Sequence, residues 1–338
     1  MTRLIAGGYA DAGAGGLFPL DWLAGSLSVG PPVADIVNIS AGVRIPGTAR
    51  WFLVDERAGR IVLVDAAQSW RTLASVASHG EGPCHLALDR TARLLAVANY
   101  DGGTVALFRL DPVTGLPIEP PAVHRNRGRG SDDDRQAAPH VHWVGFGPDD
   151  RLYAVDLGLD RIFAFTVDPA VGALGAPGVV YAAPAGSGPR QLAFHPRLPL
   201  AYLVSELIPS VTPLQRCDDG SFAAAPALST LPAGGVPASL GGAILIDADG
   251  ARLYAGNRGH DSIATFALDA QGDATLLATT ASGGRSPRFL LITDATLLVA
   301  HEQAGGVTAL PLDAAGIPRP VSARADVPGA AFLGVIDA

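Results

Sequence analysis

Apolar positions along the chain come in short runs broken by Gly, Pro, Asp and Asn. No stretch of about twelve residues keeps a 3.6-residue period between helix caps, so the pattern predicts strands and almost no helix. Residues 135–165 show the unit plainly. His140 and His142 lead into an apolar run to Phe146, and Gly147-Pro148-Asp149-Asp150 is a turn signal. A second run, Leu152 to Val155, closes on Asp156. Antiparallel pairing returns the end of the second strand to the level where the first began. His142 and Asp156 are therefore expected at one edge of one sheet.

The unit repeats. Residues closing a second strand stand at Gly8, Asp55, Asn99, Asp156, Ser205, Asn257 and His301, at intervals of 47, 44, 57, 49, 52 and 44 residues. That is the period of a four-stranded propeller blade and too long for most helical repeats. A third strand follows at 104–111, 161–168, 262–269 and 307–313, and a more variable fourth at 120–124, 178–183, 275–281 and 319–325. First and second strands are apolar on both faces, as blades packed between two neighbours require. The expected fold class is all-β, a seven-bladed β-propeller of four-stranded antiparallel blades forming one domain over residues 1–338. The terminal stretch AAFLGVIDA (330–338) has no second strand after it, and the N-terminus opens directly on a second-strand type. The two are expected to share one blade and close the ring. Residues 124–139 form the longest polar connection, and a loop of that length in a compact fold is usually functional or mobile.

Composition narrows the function classes. With 338 residues, 48% of them hydrophobic, a large core is available. The net charge of −8 and the lack of a basic block argue against nucleic acid or an anionic membrane as partner. No secretory signal pattern is read at the N-terminus, and Cys84 and Cys217 fit no zinc spacing, so a cytoplasmic protein with reduced thiols is expected. The expected oligomeric state is a monomer or weak homo-oligomer.

Hairpin geometry gathers the starts of first strands and the ends of second strands on one face. That face collects Cys84, His85, Asn99, Tyr100, Arg135, Gln136, His140, His142, Asp156, Arg190, Gln191, Ser205, Glu206, Asn257, Arg258, His260, Arg288, His301 and Glu302. Taken singly, a polar residue at a strand end is more often a loop cap than a ligand contact. Taken together, they mark a ligand site, since independent capping does not explain several arginines entering one channel in a chain of 17% charged residues.

The segments GPCHLALD, RQAAPHVH, DLGLDRIFAF, GPRQLAFHP and NRGHDSI run in order through most of the chain. In these segments the chain resembles the seven-bladed lactonases, which include propeller-type 6-phosphogluconolactonase and the 3-carboxy-cis,cis-muconate lactonizing enzyme. The resemblance implies a catalytic set of His142, Glu206, Arg190 and Arg258, with His140 beside them; from their place on the same face, His140, His85, Asn99, Tyr100, Arg135, Gln136, Asp156, Asn257, His260 and Arg288 are expected to bind substrate. Ala243, Ser205 and Trp143 depart from the family's usual residues. The implied reaction is hydrolysis of a small anionic lactone, with His142 as general base and the arginines stabilising the oxyanion. No cofactor and no metal are expected, since no cluster of three or four clear ligands stands out. A non-catalytic binding module ranks second, and a muconate-type cycloisomerase third.

Overall fold

The chain is a seven-bladed β-propeller. The computed structural model describes residues 1–23, 25–34, 36–234 and 238–336. Among these, the helical segments are two single turns of 3-10 helix, Ala10–Ala12 and Ala66–Gln68.

Two compact units divide the blades. Residues 38–189 carry those at 42–77, 83–125 and 141–182, and residues 1–37 with 190–338 carry the other four. The second strands hold the core. Leu94–Asn99 is buried throughout, as is Leu152–Asp156. Apolar clusters span pairs of neighbouring blades. Phe52, Val54 and Leu63 pack with Leu95, Val97 and Phe108, while Leu94, Ala96 and Leu107 face Val144, Ala154 and Phe165. In the four-blade unit, Tyr202 and Val204 pack with Ala255 and Phe266, and Tyr254 and Ile263 with Leu297 and Val299. A blade shares apolar surface on two faces, which is why its inner strands lack polar alternation.

The two ends of the chain meet as expected. Ala330–Val335 pairs antiparallel with Thr2–Gly8, and the sheet continues through Phe18–Leu23 to Ser26–Val29. The expected strand ran to residue 338, of which 337 and 338 lie outside the described residues.

Two expectations needed correction. The third strand at 161–168 breaks after Phe165, and Val167–Asp168 instead pairs with Ala173–Leu174 as a separate ribbon. The fourth strand at 319–325 shortens to Ala323–Ala325. Carboxylates fix the turns between first and second strands. The Asp89 carboxylate accepts from the amides of Arg93 and Leu94, and Asp247 accepts from Ala251 and Arg252. A carboxylate that binds its own turn in this way fixes the hairpin and with it the register.

Candidate active site

In the four-blade unit, three charged side chains come together. Arg190 is the second residue of the inner strand Pro189–Phe194, and Glu206 follows the last residue of Leu200–Ser205. Arg258 ends Arg252–Arg258. Arg190 Nε donates to Glu206 Oε2 at 3.2 Å, and Arg258 NH2 reaches the same oxygen at 2.7 Å. All three are desolvated, with side-chain exposures of 6% for Arg190, 4% for Glu206 and 12% for Arg258. One carboxylate between two guanidiniums leaves a net positive charge, out of bulk water where it acts most strongly.

Glycine lets the backbone complete this cluster. Arg258 donates from Nε and NH2 to Gly241 O at 3.1 and 3.0 Å, and Arg190 NH1 donates to Gly242 O at 3.0 Å. A Cβ on Gly241 would stand 2.1 Å from Ser205 O, and one on Gly242 would stand 2.6 Å from Pro287 O. Any side chain would push these strands apart. The register also shifts between Gly241 and Ile244. Such a bulge interrupts the ladder and re-aims the groups within it.

The pattern recurs two blades on. Arg288 NH1 donates to Glu302 Oε2 at 3.2 Å, and the guanidinium lies over the Tyr9 ring with its carbon 5.2 Å from the centroid. The register shifts between Pro287 and Phe289, so Arg288 is the extra residue of a bulge. Glu302 Oε2 also accepts from Ser286 Oγ at 3.2 Å, and the Ser286 amide donates to Asp261 Oδ1 at 2.7 Å. Ser286 has φ 61°, the left-handed region. The matching positions before Pro83 and Pro189 are Gly82 (φ 63°) and Gly188 (φ 60°). A side chain there costs about 1–2 kcal/mol.

The three-blade unit carries its own cluster. The register shifts between Val141 and Trp143, which makes His142 the extra residue of a bulge. His142 meets the Tyr100 ring edge-on at 5.4 Å, and His140 stacks on the same ring at 4.5 Å. His140 Nδ1 also lies 3.1 Å from Tyr100 O, and Arg135 NH2 reaches Tyr100 Oη at 3.5 Å. His85 packs against Trp143 at 5.6 Å. The Cys84 thiol bonds the carbonyls of Val141 and His142 at 3.6 and 3.4 Å.

Four residues expected to bind substrate are buried, with no exposed surface: Asn99, Gln136, Asp156 and Asn257. Their side chains hold loops. Asn99 Nδ2 donates to Ser78 O and Thr104 Oγ1, and Asn257 Nδ2 repeats this with Thr230 O and Ser262 Oγ. Gln136 Oε1 accepts from Ser131 N and Asp132 N, and its Nε2 donates to Leu157 O. This organises the long 124–139 connection from within. Asp156 takes the amides of His140 and Leu159 and the Asn126 side chain, and burial pushes its carboxyl pKa up. His260 is part-buried, with Nδ1 2.7 Å from Ser262 Oγ. Asn99, Asp156 and Asn257 share one cause, since each closes a second strand with its side chain turned inward onto a loop, whereas Gln136 is buried within the connection it organises.

Sequence reasoning missed the Gly241 and Gly242 carbonyls, Ser286 and Tyr9, and it placed Glu302 on the channel face without pairing it to Arg288. A signal existed for Glu302. Pro-Arg opens two inner strands, and a Glu follows the closing residue of the next strand in both blades. Among the described residues, no group of three His, Cys, Asp or Glu side chains is arranged to hold a metal ion. Nor is any helix among them long and apolar enough to cross a membrane.

Comparison with known proteins agrees with this architecture. The family model for the lactonases with a seven-bladed β-propeller matches residues 3–334. A 6-phosphogluconolactonase of Bacillus subtilis is 33% identical over 235 residues, a match taking in 68% of this chain and 65% of that one. The chain thus spans just under two thirds of that relative's length. An uncharacterized protein of Lactococcus lactis is 31% identical over 314 residues, 90% of this chain and 91% of its own. A gluconolactonase of Pseudomonas aeruginosa, described as periplasmic, has a solved structure that superposes with a TM-score of 0.89 at 26% identity. That superposition covers 99% of this chain and 98% of the other, and a periplasmic relative leaves the expected cytoplasmic location without support from the comparison. With the match running through every blade, the chain belongs to the seven-bladed β-propeller lactonase family.

Proposed function

We propose that the chain is a lactone hydrolase acting on an anionic sugar lactone, with 6-phosphoglucono-δ-lactone as the first substrate to test. One observation carries the reading. Arg258 is locked through Nε and NH2 to Gly241 O and Glu206, while its NH1 makes no bond to any described residue. A rigid, desolvated donor with two unspent hydrogens suits the oxyanion that forms when water adds to the lactone carbonyl. When the carbonyl re-forms, the ring oxygen leaves and takes a proton, giving the open hydroxy acid. Glu206 serves here to align two guanidinium planes, since both use its Oε2. The reading invokes no metal, because the arginines supply the positive charge.

The test is hydrolysis of freshly prepared 6-phosphoglucono-δ-lactone above its spontaneous rate. Arg258→Ala should lower kcat by about 10²–10³, the loss typical of one oxyanion donor. The general-base role expected of His142 is tested in the same assay by His142→Ala. Wild-type activity no faster than background would remove this substrate, and muconates and unphosphorylated lactones would follow. Failure on all of them would favour a binding module.

A further inference from the structure

Arg288 and Glu302 resemble Arg190 and Glu206 in position but not in charge. Arg190 and Glu206 have Arg258 beside them and share a net positive charge, whereas Arg288 and Glu302 balance each other. The two groups are close along the backbone. Arg190 binds Gly242 O, and Gly242 packs against the carbonyl of Pro287, the residue before Arg288. The second pair is also more open, with side-chain exposures of 14% for Arg288 and 28% for Glu302.

We propose that Arg288 and Glu302 read hydroxyl groups on the uncharged, polyol part of the substrate and do not hold its anionic group. This rests on the lactonase reading above. A hydroxyl both donates and accepts, so two neighbouring ones match a carboxylate beside a guanidinium, one giving its proton to Glu302 and the other accepting from Arg288. A phosphate or carboxylate at the same place would meet the Glu302 charge. The pair is held ready for this task. Tyr9 backs the guanidinium, and Ser286 and Arg288 both bond Glu302 through Oε2, leaving Oε1 without a protein partner among the described residues. Ser286 adds a second, independent sign. It occupies a left-handed position where the corresponding turns use Gly82 and Gly188, and its hydroxyl is spent on Glu302. Backbone strain kept at such a point marks a site whose geometry matters.

The experiment measures kcat and KM for wild type, Glu302→Gln and Ser286→Gly on glucono-δ-lactone and on its 6-phosphate. On whichever lactone is turned over, Glu302→Gln should raise KM about 10- to 100-fold, the loss expected for a hydrogen bond to a charged group, with kcat within about twofold. Where both are substrates, the factor should be the same for each. Ser286→Gly should raise KM severalfold while melting no lower than wild type, which separates lost recognition from lost folding. A fall in KM for the phosphate ester in Glu302→Gln would mean that the pair faces the phosphate, and would overturn the proposal. Unchanged KM in both variants would make the pair a strand staple and also overturn it. If wild type turns over neither of these two lactones nor any other lactone tried, the hydrolase reading itself fails, and the role of the pair falls with it.

Discussion

Glu206 and Glu302 occupy matching places in their blades, yet they should differ sharply in what they contribute to stability. Replacing Glu206 with Gln leaves two guanidiniums buried against each other, and breaking a buried ion pair in this way costs about 3–5 kcal/mol. Glu302→Gln breaks a half-open pair with a single arginine and should cost less than about 1 kcal/mol. Urea unfolding of the two variants checks this, and equal losses would contradict the burial difference. His301 gives a second residue-scale prediction. It is buried, its Nε2 lies 3.1 Å from Ser282 Oγ, and burial pulls its pKa from 6.5 down to about 4. A base with a depressed folded pKa stabilises the fold above its unfolded value, and that contribution is lost as pH falls from about 6.5 through about 4. The shift corresponds to roughly 3 kcal/mol. Asn99 and Asn257 fill the same position in other blades with a similar bonding pattern, so His301→Asn borrows a residue the repeat already accepts. Between pH 7 and 4.5 the urea midpoint of wild type should fall further than that of His301→Asn. The comparison is needed because buried Asp156, with its raised pKa, contributes in the opposite sense: its stabilisation is present at acid pH and lost as pH rises.

At the scale of the strand, Gly241 is the position where a small change should do most damage. Its added Cβ would face a backbone carbonyl, not the end of a flexible side chain, so the strand itself must move. Gly241→Ala should therefore cost about 1–3 kcal/mol, as overpacking does, and should lower activity along with stability because Gly241 O holds Arg258. Urea unfolding and lactone assay on one preparation test both halves, and an active variant of wild-type stability would sink the argument. The same strand shows what could be read from the sequence. Blade number, the pairing of the two chain ends and the gathering of Arg190, Glu206 and Arg258 followed from the spacing of closing residues and from motif resemblance. The bulges did not. One extra residue at Cys84, His142 or Arg288 leaves the apolar alternation nearly intact, because it falls at a strand end where polar residues are already expected. For the same reason Asn99, Asp156 and Asn257 could not be separated from Tyr100 and Arg258. Neighbours in sequence point to opposite sides of a strand, and only the register says which side is buried.

For the molecule as a whole, the pairing of Thr2–Gly8 with Ala330–Val335 joins the start of the chain to its end within one sheet. Most of Thr2–Gly8 is buried, and Phe332 and Leu333 are nearly so. Removing the last strand would expose a long apolar edge on Thr2–Gly8 and strip cover from Phe289, whose ring meets Phe332 at 5.5 Å. Exposed edges of this kind pair with other chains. A chain ending at residue 328 should therefore melt well below the full chain and aggregate during refolding, although every residue of the Arg190–Glu206–Arg258 cluster remains. A synthetic peptide of residues 329–336, supplied in excess during refolding, should restore soluble protein and the proposed lactone hydrolysis together. Restoration is the decisive part, because aggregation alone could follow from any large deletion. A truncated chain that melts like the full one would show that this blade is dispensable. Failure of the peptide to rescue would show that its covalent link to the preceding blade, and not its place beside Thr2–Gly8, is what the fold needs.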